Sequence, residues 1–145
     1  MLNVGDTAPA FDLEAQGGGR AIFPTDKPAV VYFYPKDDTP GCTTEAKEFT
    51  DTKSDFAALG VDIIGVSPDT AAKHDKFTAK HDLGITLAAD PDTATLEAWG
   101  VWQEKSMYGK TYMGGVRCTF LVDADGKVLE AWHKVRVKGH VDAVL

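Results

Sequence analysis

The residue with the most chemical potential in this chain is Cys42, because of where it falls. It ends the stretch Tyr34-Pro35-Lys36-Asp37-Asp38-Thr39-Pro40-Gly41 and is followed by Thr43-Thr44-Glu45. An apolar run stops at Pro35, a polar loop follows, and the cysteine sits where a helical pattern begins. The first N–H groups of a helix have no internal partner, and the aligned peptide dipoles place partial positive charge there. A thiolate is favoured at such a point, and helix N-termini can lower a cysteine pKa from about 8.5 into the range of about 3.5–7.5. Pro40 fixes one φ angle and Gly41 lets the backbone approach closely, which shapes a narrow pocket floor. The plainer alternative is a small buried hydrophobe that happens to open a helix. The many polar and special residues of the loop argue against simple packing.

The elements that must position this cysteine can be read around it. Ala29 to Tyr34 is a β-branched and aromatic run between Pro28 and Pro35, apolar on both faces, and predicts a central buried strand. After the cysteine, Ala46, Phe49, Phe56 and Leu59 recur at helical spacing and Gly60 supplies the stop. Val61 to Val66 predicts a second buried strand. Ser67-Pro68-Asp69 is expected to start a helix running to about Asp82. A short strand at Ile85 to Ala88 leads into the cap Asp90-Pro91-Asp92 and a helix ending at Trp99-Gly100. Gln103 to Gly115 reads as a loop that could form part of a substrate mouth. Val116 to Val122 and Lys127 to Trp132 predict a hairpin, and a terminal helix begins near Gly139. At the start, Ala10 to Leu13 and Arg20 to Phe23 flank Gln16-Gly17-Gly18-Gly19 and predict an N-terminal β-hairpin. The order indicates an α/β sandwich with a mixed central sheet. Strand ends in open sheets of this kind are where ligands bind.

Length and composition exclude several classes. With 145 residues, 43% hydrophobic and 26% charged, the chain predicts one compact soluble domain over residues 1–145. No run approaches a membrane span, and Met1 to Asp6 lacks the features of a secretory signal. Fifteen basic against 22 acidic residues give a net charge of -7, which disfavours phosphate backbones and anionic lipid. Two cysteines, Cys42 and Cys118, are too few for a disulfide framework or a four-thiolate zinc site, and they suit a reducing cytoplasm.

Pro35-x-x-x-Thr39-x-x-Cys42, following a Val-Val-Tyr-Phe-Tyr strand, resembles the active-site signature of the peroxiredoxins, and the wider stretch from Phe33 to Thr43 looks like their bacterioferritin-comigratory (Q-type) branch. Further matches are Val4-Gly5-Asp6-x-Ala8-Pro9-x-Phe11, Gly65-Val66-Ser67, and Gly115-Val116-Arg117-x-Thr119-Phe120-Leu121-Val122-Asp123, so the likeness covers nearly the whole chain. The resemblance implies a thioredoxin-like fold and a thiol peroxidase for hydrogen peroxide and organic hydroperoxides, with no cofactor. Cys42 is then the peroxidatic nucleophile, shielded by Pro35, with Thr39 and Arg117 completing the pocket. The Thr39 hydroxyl is expected to hold the thiolate or the peroxide in line. Arg117 stabilises the thiolate and then the charge spreading over the peroxide oxygens. The implied partners are a peroxide and a thiol reductant such as thioredoxin, glutaredoxin or a small thiol, with no nucleic acid or membrane, in a monomer or weak homodimer.

The chain departs from the branch pattern where a resolving cysteine often lies, five positions after the nucleophile; here that residue is Lys47. Cys118 is the remaining internal candidate, but strand alternation turns it away if Arg117 faces the site. The expectation is a one-cysteine cycle completed by an external thiol. Other features have plainer readings. His74, His81, His133 and His140 do not predict a metal site, since His74 and His81 would stand about 10 Å apart along a helix. Asp123-Ala124-Asp125-Gly126 imitates a calcium loop but reads as a turn. Trp99, Trp102, Tyr108 and Tyr112 serve equally as core or as a rim beside the site. Two rival functions are weaker: a disulfide oxidoreductase lacks its second thiol, because position 45 is Glu, and a non-catalytic binding or holdase module would leave Thr39, Cys42 and Arg117 without a purpose.

Overall fold

The computed structural model describes residues 2–107, 109–133, 135 and 139–144, and of these the side chains of residues 106, 107, 110, 112 and 142 fall outside the description. Five strands form a mixed sheet: β3 (Ala29–Phe33), β4 (Asp62–Ser67), β5 (Thr86–Ala89), β8 (Cys118–Val122) and β9 (Val128–Trp132), in the order β5-β4-β3-β8-β9. β4 runs parallel to β3 and to β5, whereas β8 runs antiparallel to β3 and to β9. Every residue of β3 is buried, as its uninterrupted apolar pattern requires.

Alternation along the strands splits the core in two. Val31, Phe33, Val66, Phe120 and Val122 face Trp99 and the N-terminal hairpin, made of β1 (Phe11–Glu14) and β2 (Arg20–Phe23). Val30, Tyr32, Tyr34 and Leu87 face the other way, toward Cys42, Ala46, Phe49, Phe56, Phe77 and Val141. Those residues come from α1 (Pro40–Asp51), α2 (Lys53–Ala58), α3 (Ala71–His81) and α5 (His140–Val144). Among the described residues, no helix is long and apolar enough to cross a membrane.

Several boundaries differ from the sequence-based expectation. The helix expected through Ala46 and Leu59 is two helices, divided at Thr52, whose N–H and hydroxyl both bond to the Glu48 carbonyl at 3.1 and 2.9 Å. A threonine that competes for the backbone in this way breaks the helical run. The helix expected from Ser67 starts at Ala71, because Ser67 stays in β4 and gives its hydroxyl to Asp69 at 2.8 Å, while Thr70 is the true cap. The fourth helix is short, α4 (Ala94–Ala98), and the buried Asp90 carboxylate accepts from the N–H groups of Thr95 and Leu96 at its start.

The segment Gln103 to Gly115, read as a loop, is an antiparallel hairpin of β6 (Trp102–Met107) and β7 (Lys110–Gly115). It forms a two-stranded sheet that does not pair with the main one, and beyond Trp102 the residues of β6 carry no apolar alternation. Its base closes on the site: a Cβ at Gly115 would stand 3.3 Å from Leu96 Cδ2 and 3.9 Å from the Cα of Pro35. Tyr108 and the Tyr112 side chain lie outside the described residues; Trp99 is core, and Trp102 packs against that core. The Asp123–Gly126 stretch is a turn as expected, its Asp123 carboxylate accepting from the N–H groups of Asp125 and Lys127 at 3.0 and 2.9 Å.

Candidate active site

The N-terminus of α1 is built by Thr39 in extended conformation and Pro40 in the first turn, where the missing N–H of proline costs nothing. Thr43 N–H closes that turn on the Thr39 carbonyl at 2.8 Å. Cys42 therefore lies within the first turn, with its side chain only 1% exposed. The segment leading into β8 brings Arg117 to it. Arg117 Nη2 donates to Cys42 Sγ at 3.0 Å, and Nη1 donates to Glu45 Oε1 at 2.7 Å. One guanidinium thus bridges two positions of the same helix, three residues apart and on one face.

Of the four residues singled out beforehand, the structure brings Cys42 and Arg117 into direct contact. Pro35 ends the strand run, half-buried, against the base of the β6–β7 hairpin. Thr39 caps the helix, but its hydroxyl donates to the Lys36 carbonyl at 2.9 Å. Its proton is committed to the loop, and its oxygen is left as an acceptor.

The loop from Lys36 to Thr39 is held from below. The Asp37 carboxylate accepts from the Tyr34 hydroxyl at 2.6 Å and meets His74 Nδ1 at 2.5 Å, while His74 Nε2 donates to the Ala88 carbonyl at 2.9 Å. The Asp37 N–H donates to Asp69 at 2.8 Å. Next to it, Asp38 adopts a left-handed conformation with φ of 60°, and its exposed carboxylate binds His81 and Lys80 at 2.8 and 2.7 Å. These bonds, His81 first, lower its pKa. Two of the histidines considered for metal thus serve as anchors of the loop. Among the described residues, no group of three or more His, Cys, Asp or Glu gathers around a point where an ion could sit.

Behind the cysteine lies a buried polar group that sequence reasoning missed. Glu45 is fully buried, and burial pushes its pKa up to about 7 against the pull of Arg117. Among the described residues, its second oxygen, Oε2, has no hydrogen-bond partner. It points toward His140 Nε2 of α5 at 4.0 Å, and that nitrogen shares a 2.7 Å hydrogen bond with Thr119 Oγ1. Burial, and then the Arg117 charge, lower the His140 pKa. The Tyr32 hydroxyl, also unpartnered, lies on the same side of the sheet, its pKa raised by burial and then by the nearby Glu45 charge. On β6, Lys105 is held below the usual ammonium range by partial burial and then by Arg117. The sequence signal for Glu45 was its place three residues after Cys42, which helix geometry alone puts on the same face.

A cysteine sulfur thus stands under a guanidinium, in the first turn of the helix that follows the central strand. The profile of the AhpC/TSA family matches residues 4–131. The chain is 47% identical over 148 residues to peroxiredoxin Bcp of Bacillus subtilis (strain 168), covering 99% of this chain and 93% of that one. Among solved structures, it superposes with a TM-score of 0.88 on the Xanthomonas campestris bacterioferritin comigratory protein, at 40% identity, covering 96% of this chain and 94% of the other. That structure is described in terms of its alkyl peroxide reduction activity. A mutant of Xylella fastidiosa PrxQ gives a TM-score of 0.93 at 35% identity, covering 99% of this chain and 93% of that one. The chain belongs to the AhpC/TSA family. Within it, the chain stands with the Bcp or Q-type peroxiredoxins, thiol peroxidases that reduce hydroperoxides.

Proposed function

We propose that this peroxidase works through Cys42 as its peroxidatic nucleophile, with Arg117, Thr39 and Pro35 forming the pocket around it. The observation that carries the reading is the 3.0 Å contact between Arg117 Nη2 and Cys42 Sγ in the first turn of α1. The thiolate, not the thiol, attacks. Its sulfur bonds to one peroxide oxygen, the O–O bond breaks, and hydroxide or alkoxide leaves and takes up a proton. The sulfur is oxidised to sulfenic acid while the peroxide is reduced by two electrons.

The residues divide this work. Arg117 is held in plane by Glu45 before substrate arrives, so its positive charge needs no rearrangement as charge spreads over the two oxygens. The Thr39 oxygen accepts the peroxide O–H, because its own proton already rests on Lys36. Pro35 and the hairpin base at Gly115 wall off water. The N–H groups of Gly41 and Cys42, near the start of α1, add donors at the helix end.

The reduced cysteine is regenerated by an external thiol in a one-cysteine cycle. The reductant is thioredoxin, glutaredoxin or a small thiol, which attacks the sulfenic sulfur, expels water and forms a mixed disulfide that a second thiol resolves. Lys47 at the fifth position after Cys42, and Cys118 on the far side of the sheet, support this. We read the chain as one domain over residues 1–145, acting in the cytoplasm as a monomer or weak homodimer, without nucleic acid or membrane as partner.

The test mixes reduced protein with one equivalent of hydrogen peroxide, follows peroxide loss, traps sulfenic acid with a dimedone-type reagent, and repeats the work with Cys42→Ser. Trapping is expected in the wild type and lost in the variant. Equal peroxide consumption by both proteins rejects the reading.

A further inference from the structure

We propose that Glu45 carries a proton while Cys42 is a thiolate and gives that proton up when Cys42 is oxidised, so that the guanidinium they share always faces one anion. The inference rests on Cys42 being the peroxidatic residue. Its geometric basis is the sharing of Arg117: Sγ and Oε1 are bound by two nitrogens of the same group, and both acceptors belong to side chains with almost no exposure.

Consider the charge in that cluster. A thiolate with an ionised Glu45 sets two anions against the one guanidinium that both touch, in a site largely closed to water. A sulfenic acid with a protonated Glu45 leaves the cation with no anion at all. Isolated charge is costly in a buried site, and such groups change protonation instead. The neutral arrangement is thiolate with carboxylic acid before oxidation, and sulfenic acid with carboxylate after it. The raised pKa of Glu45 agrees with this, since its proton is then held and lost near neutrality.

The other groups around Glu45 do not cancel this balance. Glu48 on α1 adds a negative charge that favours the acid form. Tyr32 on β3 is a buried phenol whose pKa is already raised, and it stays neutral. His140 on α5 has a pKa lowered by burial and then by Arg117, and its Nε2 stands 4.0 Å from Oε2. Lys105 on β6 is a partly exposed amine near Arg117 and Cys42, and it is not among the charges that act on Glu45.

The step balances. Cys42–S⁻, ROOH and Glu45–COOH become Cys42–SOH, ROH and Glu45–COO⁻, with net charge unchanged. The S–O bond forms, the O–O bond breaks, and the proton that Glu45 loses equals the one the leaving oxygen gains, directly or by exchange with solvent. Glu45 is thus a positioning residue that acts through Arg117 and also meets the proton demand of the reaction.

Infrared difference spectroscopy on the full chain tests this, comparing the reduced protein with the same sample after one equivalent of hydrogen peroxide and no reductant. Mass spectrometry of each sample scores oxidation of Cys42. The expected result is loss of a protonated-carboxyl C=O band in the wild type, with no such loss in Cys42→Ser or Glu45→Gln. Isotopic labelling of glutamate must shift that band, which assigns it to a glutamate even if Glu45→Gln fails to fold, and Glu45 is the buried glutamate among the described residues. Oxidised Cys42 with no carboxyl change, a band unmoved by the label, or the same loss in Glu45→Gln overturns the proposal and leaves the peroxidase reading standing. A Cys42 that stays reduced overturns both.

Discussion

Cys42 and Cys118 lie on opposite faces of the five-stranded sheet, the first packed with Tyr32, Tyr34 and Phe49, the second with Phe33, Trp99 and Phe120. A disulfide needs Cα atoms within about 7 Å and converging Cβ vectors. Sulfurs on two sides of a sheet do not offer that without displacing α1. Cys118→Ala is therefore expected to keep the wild-type rate of peroxide turnover with a small thiol, while losing on the order of 1 kcal/mol of stability from the core. A Cys42–Cys118 disulfide found by peptide mapping after equimolar peroxide overturns this.

Arg117→Ala removes the donor on the sulfur, and the oxidation step is expected to slow about 10²–10³-fold, the usual effect of losing one such donor. Arg117→Lys recovers part of the rate, since an ammonium cannot bind Sγ and Oε1 with two fixed N–H groups. Stopped-flow kinetics of the first oxidation, with circular dichroism to verify folding, decides. Unchanged kinetics in folded Arg117→Ala removes the residue from the mechanism.

Glu45 also imposes a pH dependence on stability. Its pKa rises from 4.5 to about 7 in the folded chain, so the folded state binds a proton that the unfolded state has lost. The stability this gives is complete below pH 4.5 and disappears as pH climbs through 7. Denaturant titrations should show Glu45→Gln lacking a decline of about 3 kcal/mol that the wild type undergoes across that window. Parallel profiles for the two proteins contradict the assignment.

His74→Ala strips Asp37 of one of its buried partners and leaves the Tyr34 hydroxyl in place. Removing one member of a buried pair costs about 3–5 kcal/mol, and here it also frees the loop that presents Thr39. The melting temperature and kcat/KM for peroxide should fall together. A variant with a lowered melting temperature but undiminished kcat/KM shows that the anchor serves stability alone.

Gly65→Ala probes the floor beneath α1. Its Cβ would lie 2.7 Å from Tyr32 Cζ, and the Tyr32 ring, stacked on Phe49 and Tyr34, has no room to retreat. Overpacking of this kind costs about 1–3 kcal/mol. Chemical denaturation measures it, and a neutral substitution refutes the account.

Most of the architecture could be read from residue pattern, because β3, β4 and β8 are buried runs and the helices carry apolar spacing with recognisable caps. The β6–β7 hairpin could not, since it does not pair with the main sheet and Gln103, Glu104 and Lys105 give no alternation. At the site, Cys42 and Arg117 were legible from the helix start and the family likeness. Glu45 and His140 were not. Their importance comes from burial and from a meeting across about ninety-five residues of chain, and neither shows in local spacing. The Thr39 hydroxyl differs for a local reason: a carbonyl three residues back competes for its proton.

The 1% exposure of Cys42 sorts what can reach it by size. A peroxide is small enough to enter a nearly closed site, whereas the thiol of a protein arrives attached to a broad surface. A protein donor is therefore expected to reach Cys42 only after the first turn of α1 opens, and the burial that favours oxidation by a small substrate slows restoration by a large one.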